Sequence, residues 1–322
     1  MNYRTLGRTG LRVSEIGFGA WGIGGGMWQE SDDEESIRAL NRAIDLGINF
    51  IDTALAYGDG HSERLIGKVL RGRKERVYIA TKIPPKNRLW PARKESSAAD
   101  AFPKNYIIDS TEKSLKNLGV DCLDVQQSHV WIDEWLNQGD WQDTIQRLKD
   151  QGKIRFFGVS INDHAPDTAL ELGKSGLTDT FQVIYNIFDQ SPEEELYPLC
   201  QEKNIGVIVR VPFDEGSLAG KITPETTFPE RDWRVNYFRD DRKRQVWERV
   251  QVLQRLLNGE AKSLPEMALR FCLSHPAVST IIPGMRTLNH VESNAAVSDG
   301  RLLSDSLRTE LRHHAWQRNF YE

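Results

Sequence analysis

Short apolar runs of strand length alternate along the sequence with stretches in which apolar residues recur at helical spacing. The runs predict eight strands, at residues 15–21, 49–54, 77–83, 122–130, 154–160, 180–186, 206–212 and 280–284. The amphipathic stretches predict helices, among them residues 33–46, 62–70, 105–118, 142–150, 166–172, 193–202, 242–257 and 288–297. Strands and helices therefore follow one another in a regular order.

This order predicts a parallel sheet, because two parallel strands need a crossover between them, which is usually a helix. Eight such units in one chain favour a closed (β/α)8 barrel of the TIM type, and the competing architecture is an open doubly wound sheet. No linker rich in Pro, Gly or Ser and no shift in composition interrupts the sequence. We therefore expect residues 1–322 to form a single domain.

Composition narrows the class of protein. The 322 residues carry a net charge of −4, which argues against a nucleic-acid binder, since phosphates require a basic surface. No apolar run approaches the roughly 20 residues that span a bilayer, and none follows the N-terminal arginines as a secretory signal would require. The three cysteines lie far apart, so we expect neither a disulfide framework nor a metal site, and we expect a cytoplasmic protein.

Three long connections follow predicted strands, at residues 84–104, 131–141 and 213–240. In a barrel such connections lie at the carboxyl ends of the strands, where active sites are built, so we expect long loops at the C-terminal face. They carry the aromatic residues Trp90, Trp131, Trp135, Trp233 and Tyr237. These residues either line an apolar ligand pocket or pack the loops onto the barrel, and the sequence leaves both open.

A glycine-rich segment near the start matches a nucleotide-binding motif in its spacing. Gly17, Gly19 and Gly22 fit G-x-G-x-x-G directly after a predicted strand. In a dinucleotide-binding fold the third glycine lies in a helix whose N-terminus meets the pyrophosphate. Here the helical pattern begins only near Ser31. We interpret the match as accidental and expect a glycine-rich loop over the mouth of the barrel.

Four polar residues fall near the ends of consecutive predicted strands. Asp52 and Lys82 end the second and third strands, and His129 ends the fourth. Tyr57 begins the loop after Asp52. A tyrosine is a poor acid, with an ordinary pKa of about 10, and a nearby ammonium lowers that pKa by favouring the phenolate. A carboxylate would orient the ammonium and an imidazole would orient a carbonyl oxygen, so together they predict a proton donor beside a reducible carbonyl.

These residues and their surroundings resemble the aldo-keto reductase family. The likeness runs through YRTLGRTGLRVSEIGFGAWGIGG, NFIDTALAYGDGHSE and IIPGMRTLNHVESN, and the second segment has Asp52, Tyr57 and Glu63 in the family's relation. The resemblance implies a (β/α)8 barrel and direct hydride transfer from a nicotinamide to a carbonyl carbon without a metal. It also implies an active site in which Tyr57 is the general acid/base, formed by Asp52, Tyr57, Lys82 and His129.

The resemblance also implies cofactor-binding residues. Ser160, Asn162 and Gln182 match residues that hold the nicotinamide carboxamide, although here one residue separates a serine and an asparagine that are adjacent in the family. Residues that match the loop that straps the pyrophosphate, called the strap below, are Pro212, Gly216, Leu218, Gly220 and Lys221. Gly284 and Arg286 match the phosphate site, and Glu292 and Asn294 match the adenine contacts. Arg286 suits a 2′-phosphate and so favours NADP(H), with NAD(H) possible; a solvated surface arginine is the alternative.

Two further positions match residues that lie next to the nicotinamide and the substrate in the family. Arg210 falls where the family often has an aromatic residue that stacks on the nicotinamide. A guanidinium can stack on a ring or bind a phosphate or a substrate carboxylate, and these roles stay open. Trp21 falls where the family has an aromatic residue of the substrate pocket.

The sequence thus predicts an NADP(H)-dependent oxidoreductase that reduces a small-molecule aldehyde or ketone, without a nucleic-acid or membrane partner. The alternative is a nicotinamide-binding regulatory subunit like the beta subunits of potassium channels, which resemble the same family. A metal-dependent barrel hydrolase ranks last, because no H-x-H pair follows the first strand.

Overall fold

The computed structural model describes residues 1–26 and 32–322, so the predicted onset of helical pattern near Ser31 lies outside the described residues. The described strands are β1 (Tyr3–Thr5), β2 (Arg12–Ser14), β3 (Phe18–Gly19), β4 (Phe50–Asp52), β5 (Tyr78–Ile83), β6 (Leu123–Ser128), β7 (Ile154–Ser160), β8 (Thr180–Ile184), β9 (Gly206–Arg210) and β10 (Val278–Ile281). The described α-helices are α1 (Asp33–Asp45), α2 (His61–Leu70), α3 (Ala98–Ala101), α4 (Lys104–Leu118), α5 (Trp141–Asp150), α6 (Leu170–Ser175), α7 (Leu196–Lys203), α8 (Arg234–Tyr237), α9 (Arg242–Arg255), α10 (Leu264–Leu273), α11 (Leu288–Ala295) and α12 (Asp305–Arg312).

Strands β3 to β10 form one parallel sheet in chain order, and the sheet closes on itself. The amide of Gly17 donates to the carbonyl of Ile281 at 2.8 Å, and the amide of Gly19 donates to the carbonyl of Pro283 at 3.0 Å. These bonds join the first strand of the sheet to the last. The predicted (β/α)8 barrel is therefore confirmed, and the open doubly wound sheet is excluded.

The interior of the barrel is apolar at one end and polar at the other. The apolar layer is one buried cluster that includes Phe50, Ala80, Val125, Ile208 and Ile282. Two residues further along β4, β5 and β6, at positions facing the same side, lie Asp52, Lys82 and Gln127. The apolar layer thus supports a polar layer at the carboxyl ends of the strands, where a barrel carries its active site.

An antiparallel hairpin that the sequence analysis does not predict covers the apolar end of the barrel. It consists of β1 and β2. Leu6, Leu11 and Val13 of this hairpin are buried in the same cluster as the apolar interior layer. The hairpin therefore keeps water from the end of the barrel opposite the polar layer.

Four described helices have no counterpart among the predicted ones: the four-residue helices α3 and α8, and the longer helices α10 and α12. In α10 the buried residues include Leu264, Met267, Phe271 and Leu273, so the helix has little polar surface to produce a periodic pattern. Helix α12 buries only two side chains, Leu307 and Leu311, and its apolar stripe is correspondingly narrow. The predicted helix at 242–257 is present as α9, but the helix that packs against β10 is α10.

The bounds of the strands differ from the predicted ones where the backbone pairing between strands is irregular. Strand β7 has the predicted bounds, whereas β3 covers only two of the seven residues predicted for the first strand. Ile16, just before β3, still forms an isolated parallel bridge with Ile281. The apolar run is therefore part of the barrel wall without being regular strand along its whole length. None of the described helices is long and apolar enough to cross a bilayer.

Closure of the barrel leaves no room for a side chain at Gly19. A Cβ atom there would lie 2.4 Å from the carbonyl oxygen of Ile282 and 2.9 Å from that of Pro283. We expect Gly19→Ala to lower the free energy of unfolding by about 2 kcal/mol, because the two strands would have to separate. The control is Gly72→Ala, where the nearest atom to the new Cβ is 3.6 Å away. Equal denaturant midpoints for the two variants would contradict this account.

Candidate active site

Lys82, at the end of β5 and fully buried, is the centre of the predicted site. Its ammonium donates to Asp52 Oδ1 at 2.6 Å, to the backbone carbonyl of Thr53 at 2.8 Å and to Tyr57 Oη at 3.3 Å. An ammonium has three N–H donors, and these contacts use all of them. Lys82 is therefore held in one orientation, with one donor directed at the tyrosine hydroxyl.

Asp52 is held on both of its oxygens. Besides the bond from Lys82 to Oδ1, Oδ2 accepts from Gln182 Nε2 at 2.7 Å and from Gln127 Nε2 at 3.3 Å. A buried carboxylate is tolerated only where a cation and several donors compensate for its lost hydration. Lys82, Gln182 and Gln127 supply that compensation inside the barrel.

The neighbours of Lys82 also determine its charge. Burial alone would lower the pKa of Lys82, but the Asp52 carboxylate and the Tyr57 hydroxyl outweigh burial, and the pKa lies above its ordinary value. Lys82 is therefore positively charged at neutral pH.

The pKa of Tyr57 is shifted upward, whereas the sequence analysis predicts a downward shift caused by a nearby ammonium. Burial raises the pKa of Tyr57, and the Lys82 ammonium, acting in the predicted downward direction, offsets only part of that rise. The pKa therefore lies above the ordinary value rather than below it. Tyr57 keeps its proton at neutral pH, which suits a proton donor.

His129 lies one residue beyond β6, with its backbone amide bonded to the carbonyl of Ile83. The ring centroid is 5.8 Å from that of Tyr57 and 5.4 Å from that of Trp90, both in edge-on geometry. Burial lowers the pKa of His129 well below its ordinary value, and the charges of Lys82 and Arg210 lower it further. The imidazole is therefore neutral, and its Nδ1 has no partner among the described residues.

Aromatic rings extend from Tyr57 towards the loops. The Trp21 centroid lies 6.4 Å from that of Tyr57 and 5.1 Å from that of Trp233. Trp233 in turn lies 6.5 Å from Tyr321, with the two rings nearly parallel. Trp21, Trp90 and Trp233 thus surround the reacting end of the site with apolar surface.

Other loop aromatic residues pack the loops instead. Trp131 and Trp135 are each 1% exposed, and their ring centroids lie 6.1 Å apart in edge-on contact. Trp141 contacts Trp131 in the same way at 5.0 Å. Tyr237 is also buried and lies against Trp233. Of the two possibilities that the sequence leaves open, packing applies to these residues.

The glycine-rich loop after β3 has a steric function. A Cβ on Gly24 would lie 2.9 Å from Cβ of Tyr57, and a Cβ on Gly22 would lie 2.8 Å from Cδ of Arg286. Residues 21–24 form turns and bends, and no helix starts at Gly22. The glycines therefore let this loop lie directly on two residues of the predicted site.

The residues predicted to hold the carboxamide differ in what they contact. Ser160 is the last residue of β7 and is buried. Gln182 donates to Asp52, as described above. The Asn162 side chain accepts from the amide of Ala92 at 3.1 Å and donates to its carbonyl at 3.2 Å. Its amide therefore anchors the loop 84–104 to the end of β7.

Arg210 ends β9 and is paired with an acid that the sequence analysis does not identify. Its Nη2 donates to the carbonyl of Ile161 at 2.9 Å and to Asp163 Oδ1 at 2.7 Å, while Nε is buried without a partner among the described residues. Burial would lower the pKa of Arg210, but Asp163, Tyr321 and Glu215 together outweigh burial, and the pKa is raised. The guanidinium is thus fixed at one end and keeps a donor for a ligand.

The predicted strap follows β9 and is held by the segment 316–322. Asp214 pairs with Arg318, and Glu215 accepts a hydrogen bond from Tyr321 Oη. Burial raises the pKa of Glu215 to about 7. Asp214, Glu215, Gly216 and Gly220 all have positive φ, while Pro212 is buried and the Leu218 side chain lies in the core. Of these strap residues, Leu218 could meet a ligand only through its backbone.

Two predicted cations, Arg286 and Lys221, act on the first turn of α11. After burial, the charges of Arg286 and Lys221 are the largest causes that lower the pKa of His290, which lies in the first turn of α11. Glu292 pairs with Arg42 at 3.0 Å. Asn294, on the same helix, is buried. Two positive side chains beside a helix N-terminus form a suitable phosphate site.

These features fit a nicotinamide dinucleotide. A Cβ on Gly216 or on Gly284 would meet no atom within 4 Å, so both residues border open space. The charge of Arg210 acts on both Tyr57 and His129, since it is among the causes that lower the pKa of each. Cations lie near α11. The site thus offers acid–base groups around Tyr57 and positive charge near α11.

Comparison with known proteins identifies the family. The model of the "Aldo/keto reductase family" matches residues 15–314. The chain belongs to this family. It is 32% identical to the Aldo-keto reductase YhdN of Bacillus subtilis over 95% of this chain and 91% of that protein. It is 30% identical to the NADH-specific methylglyoxal reductase of Escherichia coli, over 96% of this chain and 97% of that protein.

A comparison with solved structures supports the same family. The glycerol dehydrogenase AKR11B4 from Gluconobacter oxydans superposes with a TM-score of 0.80 at 27% identity, over 97% of this chain and 94% of that one. The predicted resemblance is therefore confirmed. This aldo-keto reductase is an oxidoreductase that depends on a nicotinamide cofactor, as predicted.

Several residues of this aldo-keto reductase contact the predicted site or its strap without having been predicted. Gln127 contacts Asp52, Asp163 contacts Arg210, and Tyr321 contacts Glu215. The alternation of strand residues could have identified Gln127, since it lies two positions before His129. Nothing in the local sequence connects Tyr321 to a strap about a hundred residues earlier.

The buried ion pair should be strongly coupled to stability. We expect Lys82→Met to lower the free energy of unfolding by about 3 kcal/mol or more, because it leaves the Asp52 carboxylate buried without its cation. Denaturant unfolding at neutral pH measures the effect. The double variant Asp52→Asn/Lys82→Met removes both charges and should recover at least half of the loss. A single variant as stable as the native chain would show that the pair is not coupled.

Proposed function

We propose that this aldo-keto reductase reduces an aldehyde or ketone to the alcohol, with Tyr57 as general acid/base and NADP(H) as the cofactor. The proposal is carried by the 3.3 Å hydrogen bond from the buried Lys82 ammonium to Tyr57 Oη. A phenol that keeps its proton at neutral pH and has a cation beside its oxygen can give up that proton when a base develops next to it.

When bound, the reduced nicotinamide supplies the hydride that adds to the carbonyl carbon. Tyr57 donates its proton to the carbonyl oxygen as negative charge develops there. The Lys82 ammonium stabilises the phenolate that remains, and Asp52 holds the ammonium in place. In the reverse direction the phenolate accepts the proton of the alcohol.

His129 and the surrounding rings act on the substrate. A neutral imidazole has one N–H donor, which can orient the carbonyl oxygen towards the Tyr57 hydroxyl without adding a charge to the site. We assign Trp21 to the substrate pocket, together with Trp90 and Trp233, because these rings lie around Tyr57 and His129. Their apolar surface excludes water and strengthens the electrostatic contacts inside.

The cofactor assignment follows the two ends of the site. Ser160, Asn162, Gln182 and Arg210 would hold the nicotinamide, with Arg210 offering its unpartnered Nε. The remaining assigned residues would hold the phosphates and the adenosine: Pro212, Gly216, Leu218, Gly220, Lys221, Gly284, Arg286, Glu292 and Asn294. Asn162 and Glu292 already bind Ala92 and Arg42 respectively, so they would need to share those contacts or exchange them.

The proton-donor assignment is tested by Tyr57→Phe. We expect kcat for carbonyl reduction to fall by about 100-fold or more, the usual effect of losing a general acid, while the Kd for NADPH stays within about twofold. Turnover is followed by NADPH absorbance over a panel of aldehydes and ketones, and binding by NADPH fluorescence. Undiminished turnover would refute the role of Tyr57. A native chain that binds NADPH and reduces nothing in the panel would favour the regulatory-subunit alternative.

The cofactor preference is tested by Arg286→Ala. A charged hydrogen bond to a phosphate contributes about 1.5–3 kcal/mol, so we expect the Kd for NADPH to rise by about tenfold or more and the Kd for NADH to change little. Arg38→Ala on α1, which removes an exposed arginine, is the matched control. Equal losses for NADPH and NADH would remove Arg286 from the 2′-phosphate site.

A further inference from the structure

The polar layer of the barrel contains one side chain to which the proposed mechanism gives no role. Gln127 lies on β6 directly beside Lys82 of β5, with Gly158 of β7 on its other side. Its side chain is fully buried. Two residues earlier the corresponding inward position is Val125, in the apolar layer. A polar side chain therefore replaces an apolar one at the level of Asp52 and Lys82.

The orientation of the Gln127 amide is determined by the charge it faces. Its Nε2 donates to Asp52 Oδ2 at 3.3 Å. The opposite orientation would place the amide oxygen against the carboxylate oxygen, and two acceptors cannot share a hydrogen bond. Oε1 has no partner among the described residues. Such an unpaired buried acceptor costs free energy, so the amide is not explained by packing alone.

The neighbouring strand leaves space for this side chain. A Cβ on Gly158 would lie 2.1 Å from Thr180 Oγ1 and 3.3 Å from Cγ of Gln127. Any larger residue on β7 would therefore disturb the barrel at this level. With Gly158 in place, the Gln127 side chain can reach across Lys82 to Asp52.

We propose that Gln127 is a positioning residue, which holds Oδ2 of Asp52 so that Oδ1 remains on the Lys82 ammonium that donates to Tyr57. This inference rests on the proposed roles of Tyr57 and Lys82. Gln182 shares the task of holding Oδ2, but it is also assigned to the cofactor, so a variant there would affect both. Gln127 acts on Asp52 without an assigned contact to cofactor or substrate.

The neighbouring residue provides a matched control. Gln126 is as buried as Gln127, and its Oε1 also lacks a partner among the described residues. It faces the opposite side of β6 and donates to the backbone carbonyl of Thr81. Gln126→Met and Gln127→Met therefore remove the same group from the same strand, and only the second removes a contact with Asp52.

The sign of the effect on pH dependence follows from the charges around Tyr57 and Lys82. Asp52 raises the pKa of both groups, and Lys82 and Arg210 lower that of Tyr57. His129 also lies beside Tyr57, and its imidazole is neutral at neutral and alkaline pH. Without the Gln127 donor the Asp52 carboxylate is held less closely, so its influence weakens and both pKa values fall. The rate of reduction should then decline at a lower pH than in the native enzyme.

The experiment measures kcat and kcat/KM for carbonyl reduction from about pH 6 to about pH 10.5, with the Kd for NADPH as a second readout. For Gln127→Met we expect kcat to fall by about tenfold, as for the loss of a hydrogen bond to a charged group. The alkaline decline should move to lower pH, and the Kd for NADPH should stay within about twofold. Gln126→Met should keep the native kcat and the native pH profile.

A second variant, Gln127→Glu, should shift the alkaline decline of the rate in the opposite direction. Gln127→Glu keeps the shape of the side chain and, once ionised, adds a negative charge beside Lys82, the lysine that donates to Tyr57. The pKa values of both groups should rise, so the alkaline decline should move to higher pH. This variant decides the question if Gln127→Met does not fold. A native pH profile in Gln127→Glu, shifts of the same sign in both Gln127 variants, or an equal loss in Gln126→Met would overturn the proposal. Failure of the proposed function is distinguishable, because the native enzyme would then reduce no carbonyl.

Discussion

A lysine ammonium with no access to water is the constraint on which the rest of the site depends. Lys82 can remain charged inside the barrel only because Asp52 lies 2.6 Å away and the Thr53 carbonyl accepts a second bond. Its third donor is thereby directed at Tyr57. Burial lowers the pKa of His129, and the Lys82 charge lowers it further, so that imidazole is neutral. The same charge offsets part of the rise in the pKa of Tyr57 that burial causes.

The barrel makes this arrangement tolerable by separating its interior into layers. The apolar layer and the β1–β2 hairpin keep water from one end, and the carboxyl ends of the strands carry the polar groups. Around this centre, acids and bases are paired across segments that are distant in the chain: Arg210 with Asp163, and Glu215 with Tyr321. The strap that is assigned to the cofactor is therefore held from the side of residues 316–322 rather than only by its own turns.

Much of this could be predicted because the relevant signals are local. Strand-length apolar runs located the barrel strands, and strand β7 has the predicted bounds. Helix α10 was missed because it is apolar on nearly every side, so burial removed the periodicity that identifies a helix. For Tyr57, the sequence indicated the partner that lowers its pKa, but the larger, opposing effect of burial depends on how many atoms surround the hydroxyl. That quantity is a property of the packed structure.

The sequence by itself determined the order of strands and helices, the residue types at the carboxyl ends of the strands, and through them the family. Only the tertiary structure decided which groups meet. Trp131 and Trp135 became packing residues, whereas Trp21 and Trp233 came to lie beside Tyr57. The physical reason is that periodicity and composition act over a few residues along the chain, while hydrogen bonds, desolvation and charge interactions act over a few ångströms in space. Closure of the barrel brings together residues that the chain keeps far apart.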